Sequence, residues 1–281
     1  MFSHSKLALF SAAAMGIVGI TQLATAGIIY SDSLGENTGS TGTQLAGQTV
    51  QSSAAYAGGT AGATWGTNTA VLLEGGIART AYSSSGGSQI YLPFTAEAGY
   101  VYTLTATLND IRGDTTSKGF AAIGFASGNG SYNNNFGKVN NATAFLTLRT
   151  TGSTVGTSGE PQFYPGNNAT SPFSGGVSFG TSTDNGQQTV EITLNTTGAD
   201  TASSPWTAQA TLLTGSQSSS SVLDLPAGTA ISYVGFGNSY DQSDFSNFSL
   251  SAVATATPEP ASLGLLALAG LGMLALKRRR A

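Results

Sequence analysis

Carboxylates and aromatic rings are the side chains of this 281-residue chain that could do chemistry, because the usual nucleophiles and bases are missing. There is no cysteine, and the single histidine is His4. Disulfides, thiolate metal sites, iron–sulfur clusters and a cysteine nucleophile are therefore excluded. A serine relay would have no imidazole to take its proton once the first few residues are set aside. Among the acids, Glu97, Asp110, Asp114, Glu160 and Glu191 are numerous enough for a glycosidase, which needs two carboxyl groups about 5 to 9 Å apart. None of them forms a Glu-x-Asp pair on one strand, and solvated surface acids are the simpler reading. Sugar binding asks for an aromatic plane and a few polar groups that fix hydroxyls. Trp65, Tyr82, Tyr132, Tyr164 and Trp206 are the candidate rings, and the run Tyr132-Asn133-Asn134-Asn135-Phe136 sets amides beside them. Trp65 and Tyr132 are flanked by Gly, Thr and Asn and are expected to be exposed, so with Asn134 they form the candidate ligand site. Trp206 shares a strand face with Ala208, Ala210 and Leu212 and is expected in the core.

These side chains must be positioned by strands. The chain has 38 Gly and is rich in Ser and Thr, a composition that suits short strands and tight turns, while a 40% hydrophobic fraction argues against disorder. Tyr100 to Leu108 alternates most cleanly, with Tyr100, Tyr102, Leu104, Ala106 and Leu108 on one face and Val101 and three threonines on the other. Further strands are predicted at 27–30, 69–73, 89–94, 119–127, 143–149, 176–180, 188–195, 206–213, 230–237 and 247–253. The Gly35–Gly47 stretch reads as a long loop, and Ser83–Ser88 and Ser216–Ser221 as loop tips. No helical period appears between Gly27 and Thr257, so the expected fold is all-β, an antiparallel two-sheet sandwich of jelly-roll type over 27–257.

The two ends read as addresses. Residues 1–26 open with His4 and Lys6, continue through an apolar run from Leu7 to Ile20 and close on Ala24-Thr25-Ala26. That is the order of a secretory signal peptide, with Ala24 and Ala26 marking the cleavage site. Residues 258–281 begin Pro258-Glu259-Pro260, run uncharged from Ala261 to Leu276 and finish Lys277-Arg278-Arg279-Arg280-Ala281. As a helix the uncharged run would reach about 24 Å, which snorkelling basic residues can extend to a bilayer core of about 30 Å. The basic cluster predicts a cytoplasmic tail and an external body.

This three-part tail resembles the PEP-CTERM sorting signal of Gram-negative bacteria. The resemblance implies that an exosortase recognises the tail and removes or exchanges it after export through the general secretion machinery. It also implies a transient inner-membrane intermediate and a destination on the cell surface or in a biofilm matrix. The body resembles the concanavalin/laminin-G-like jelly rolls found in front of this signal, in its Ile28-Ile29-Tyr30-Ser31-Asp32 opening, its Trp206–Ala210 strand and its Asp244–Leu250 closing strand. Such domains hold a structural Ca²⁺ where their terminal strands meet. The implied ligands here are Asp32 after the first strand and Asp241 and Asp244 before the last, with Asp32 and Asp244 paired, since Ca²⁺ collects six to eight hard oxygens.

Without its two addresses the chain retains five basic and thirteen acidic residues and no histidine, a net charge of about −8. Such a surface repels phosphate backbones, and no nucleic-acid partner is expected. The function expected is a non-enzymatic structural or adhesive one at the cell surface, with weak binding to extracellular polysaccharide. The alternative is a polysaccharide-active enzyme using two carboxylates.

Overall fold

The computed structural model describes residues 25–35, 42–67, 71–80, 87–112, 120–127, 142–148, 161–165, 177–178, 187–214, 217–239 and 242–255. These hold eighteen strands and no helix, as the absence of a helical period predicts. The larger sheet runs β15 (Ser218–Ser219), β14 (Thr207–Leu212), β13 (Gln188–Asn195), β8 (Tyr100–Arg112), β18 (Gln242–Ala254), β6 (Ile77–Thr80), β5 (Val71–Glu74) and β2 (Thr43–Gln44). On its margins β1 (Gly27–Asp32) pairs with β18 and with β3 (Ser52–Ser53), and β16 (Leu223–Asp224) pairs with β14. The smaller sheet runs β12 (Val177–Ser178), β11 (Gln162–Pro165), β10 (Ala142–Leu148), β9 (Phe120–Ala126), β17 (Tyr233–Ser239), β7 (Gln89–Pro93) and β4 (Gly66–Thr67). Every one of these pairings is antiparallel. The jelly-roll-like sandwich is thus the observed architecture.

Alternation decides what the sheets bury between them. On β8 and β13 the inward side chains Tyr102, Leu104, Ala106, Leu108, Val190, Ile192 and Leu194 are fully buried. They meet Ile90, Leu92, Ile123, Phe125, Leu146, Phe163, Val234 and Phe236 of the smaller sheet in one hydrophobic cluster. The threonines between them on β8 and β13 face the other way and pair across strands, Thr107 with Thr189 and Thr103 with Thr193. Trp206 joins the core, as its register with Ala208 and Ala210 predicts.

Several elements escape the sequence pattern. The stretch read as a long loop contains β2, and the serine tip contains β15; each is two residues long, too short to show a period. β6 follows β5 through the tight turn Gly75-Gly76, where both glycines have positive φ. The closing strand is longer than expected because it bends and continues. Asn247 takes φ +54° within β18, and the register to β8 slips between Ser246 and Ser249.

Candidate functional site

The outer face of the smaller sheet carries the candidate ligand surface. With Ile90, Leu92, Val234 and Phe236 turned inward, Tyr91 on β7 and Tyr233, Gly235 and Gly237 on β17 must face outward. On β9 and β10 the same parity turns out Ala122, Gly124, Ala126, Phe145 and Thr147. Register then aligns one row across the sheet: Gly66, Tyr91, Gly235, Gly124, Phe145 and Tyr164. Two adjacent glycines lie at its centre with rings on either side.

The glycines are dictated by close approach. A Cβ on Gly124 would lie 2.2 Å from the Ala144 carbonyl oxygen, and one on Gly235 would lie 2.1 Å from that of Ile90. One on Gly66 would lie 2.5 Å from the ring of Tyr91, so Gly66 is the notch in which that ring sits. Tyr91 meets Tyr233 edge-on, with centroids 5.1 Å apart. Both are half-buried and keep part of each ring at the surface. Burial, reinforced by the neighbouring Tyr233, raises the Tyr91 phenol above its ordinary range, so it remains a hydroxyl donor at neutral pH. Across the glycines Phe145 stacks on Tyr164 at 5.0 Å. Those two rings are buried, and the Tyr164 hydroxyl donates to the Gln162 side-chain oxygen. A sugar's C–H face can pack on the Tyr91–Tyr233 edge while the phenols bind its hydroxyls.

A second concavity lies at the edge of the sandwich, between the turn that follows β1, the segment 45–51 and Leu73. Its volume is about 190 Å³. Asp32 lines it and is only 6% exposed. The Asp32 carboxylate accepts the Trp65 indole N–H at 2.8 Å through Oδ2 and the Leu34 amide at 2.9 Å through Oδ1.

The structure rearranges the predicted sites. Trp65 is not an exposed sugar platform: it is 1% exposed, bonded to Asp32, and edge-packed on Phe236 and Phe248 with centroids at 5.4 and 5.0 Å. Its polar flanks suggested exposure, but the buried carboxylate satisfies the indole and lets the ring enter the core. Asp32 and Asp244 do not form a shared metal site either. β18 pairs Phe248, four residues beyond Asp244, with Asp32, and Asp244 is held by Arg79 through Nε at 2.8 Å and Nη2 at 2.9 Å. Arg79 also donates to Glu74 at 3.0 Å. Among the described residues no group of three acids or histidines could hold a metal ion. Tyr132, Asn134, Asp241, Ala24 and the sorting-signal residues Pro258, Glu259, Pro260 and Lys277 to Arg280 lie outside the described residues, as does the expected membrane-spanning helix. Among the described residues no helix is long and apolar enough to cross a membrane.

Two sets of residues went unnoticed in the sequence. Tyr91 and Tyr233 stand in stretches correctly read as strands, and alternation against Ile90 and Val234 would have turned them outward. The glycines at 235 and 237, two apart within a strand, signal close backbone approach, and both are buried in the structure. Gly176-Val177-Ser178-Phe179-Gly180 has the Gly-x-Ser-x-Gly pattern, but Ser178 lies in edge strand β12 and the body has no histidine to activate it.

At the C-terminus a family comparison is decisive, since the PEP-CTERM protein-sorting motif matches residues 256–281. The chain carries that sorting motif. It is accordingly an exported protein of a Gram-negative bacterium that passes through a membrane-associated intermediate and is processed by an exosortase. The motif begins immediately after Thr255, whose amide and hydroxyl both donate to the Gly99 carbonyl, at 2.9 and 2.8 Å. No curated protein matches the chain in sequence. Among solved structures it is similar to the Emp47p carbohydrate recognition domain (12% identity, TM-score 0.48, covering 81% of this chain and 98% of that one). It is similar also to a lectin from Bauhinia forficata in complex with GalNAc (16%, 0.46, 77% and 100%) and to the alginate lyase Aly36B (16%, 0.46, 80% and 97%).

Proposed function

We propose that this exosortase-sorted protein is a non-enzymatic surface component that binds neutral extracellular polysaccharide, with an adhesive or structural role in the matrix. The observation that supports it is the half-buried Tyr91–Tyr233 pair on a glycine-floored sheet face. The pair offers an apolar edge with two hydroxyl donors, and its face carries no formal charge among its described side chains. The net charge of about −8 between the two terminal signals disfavours acidic polymers.

Three acids of the larger sheet are already engaged: Asp244 and Glu74 share the Arg79 guanidinium, and Asp32 accepts the Trp65 indole and the Leu34 amide. The test is glycan-array and affinity-electrophoresis binding of the full chain beside its Tyr91→Ala and Tyr233→Ala variants. Each substitution is expected to weaken retention on neutral glycans about tenfold, with no reducing sugar released by any form. Unchanged retention in the double variant would sink the assignment of the site. Reducing-sugar release abolished by a single Glu→Gln change would establish an enzyme instead.

A further inference from the structure

The Asp32 cleft is chemically unlike the tyrosine face and shares no lining residue with it. Its floor is a buried carboxylate of whose about four acceptor positions the described residues use two, through the Trp65 indole and the Leu34 amide. Among the described residues no cation pairs with it. Leu34, Leu45 and Leu73 supply apolar walls, and Gln48, Thr49 and Gln51 a polar rim. The rim is held in place: Gln51 accepts the Ser33 amide at 3.0 Å and donates to the Ser33 hydroxyl at 2.7 Å, leaving its second amide hydrogen for a ligand. Leu34 keeps a left-handed backbone, φ +58°, to close the turn around Asp32.

We propose that this cleft is a second ligand site that takes one neutral sugar ring, with Asp32 accepting hydrogen bonds from neighbouring hydroxyls and the leucines packing its C–H face. A buried carboxylate is costly unless hydrogen-bonded, and hydroxyls can fill its open positions without bringing charge. Among the described residues Asp32 is the only carboxylate lining the cleft, far short of the oxygen set Ca²⁺ collects. The volume of about 190 Å³ equals about six waters of liquid. That suits a single ring and is below the usual range for larger ligands, which starts near 300 Å³. The site is independent of the Tyr91–Tyr233 reading, since the two share no residue.

Trp65 provides the readout, because a ligand on Asp32 perturbs the indole bonded to the same carboxylate. The chain has two tryptophans, so Trp206→Phe leaves Trp65 as the sole emitter. The full chain in this background, in a detergent without a sugar headgroup, is titrated with glucose, galactose, mannose, rhamnose and fucose, and with butylamine as a cationic control. At least one sugar is expected to give a saturable emission change. Gln48→Ala and Thr49→Phe, which leave the Asp32–Trp65 bond alone and add no tryptophan, are expected to weaken it at least about tenfold. Tyr91→Ala with Tyr233→Ala leaves it unchanged, which separates this site from the first. No saturable change with any sugar, saturation unaffected by Thr49→Phe, or a response to butylamine alone would each overturn the proposal.

Discussion

Asp32 is the residue on which most of the local structure converges. It replaces solvent for two buried donors, the Trp65 indole and the Leu34 amide, so its loss is not the loss of one contact. Asp32→Ala is expected to cost about 3 kcal/mol, because a buried donor left without a partner costs about 1 to 3 kcal/mol; urea unfolding of the variant checks it. A drop below about 0.5 kcal/mol would mean that water replaces the carboxylate. The buried tyrosines act at the other end of the pH scale. Burial pushes the Tyr102 phenol upward, more than the Glu97 amide it accepts pulls it down, and Tyr30 is raised by burial as well. Their stabilising effect is fully present below the ordinary phenol value of about 10 and is lost as pH rises beyond it. There the unfolded chain sheds protons that the folded one retains. Urea midpoints measured against pH should therefore be level near neutrality and fall in alkali, and Tyr102→Phe should flatten the fall.

Strands were legible wherever a period had room to repeat. The alternation of Tyr102, Leu104, Ala106 and Leu108 fixes which side of β8 is buried, and the same argument holds for β13. Two-residue strands such as β2 and β15 have no period and are recruited by neighbours already in place. The glycine row is a property of the smaller sheet as an element. Gly124 and Gly235 are Cα partners, and a methyl group on either meets the carbonyl of the adjoining strand. Gly124→Ala and Gly235→Ala are each expected to destabilise the body by about 3 kcal/mol, the upper part of the usual overpacking cost. Thermal or urea unfolding is the check, and a neutral result would show that the ladder yields without loss.

For the whole molecule the two ends meet. Gly27 on β1 pairs with Ala252 on β18, so the start of the body and the beginning of the sorting motif emerge from the same pole. With Thr255 anchored to Gly99, almost no chain separates the folded body from Pro258. Intact-mass measurement of protein released from the surface should show a species without Lys277–Ala281. A mature form that retains this tail would count against processing.

Composition and order alone determined the sorting motif at the C-terminus, the missing side-chain types and the all-β class, because each rests on residue type or on spacing along one strand. They set Asp32 just after the first strand and Asp244 just before the last, whereas Asp32 ends β1 and Asp244 lies inside β18. Only the tertiary structure decided what those acids do, that Tyr91 and Tyr233 stand half-buried on the outer face of the smaller sheet, and that Trp65 is in the core. The reason is physical. Whether a ring or a carboxylate is buried depends on which partner arrives from a distant strand: Trp65 is 33 residues from Asp32, and Arg79 is 165 from Asp244. No local pattern carries that information.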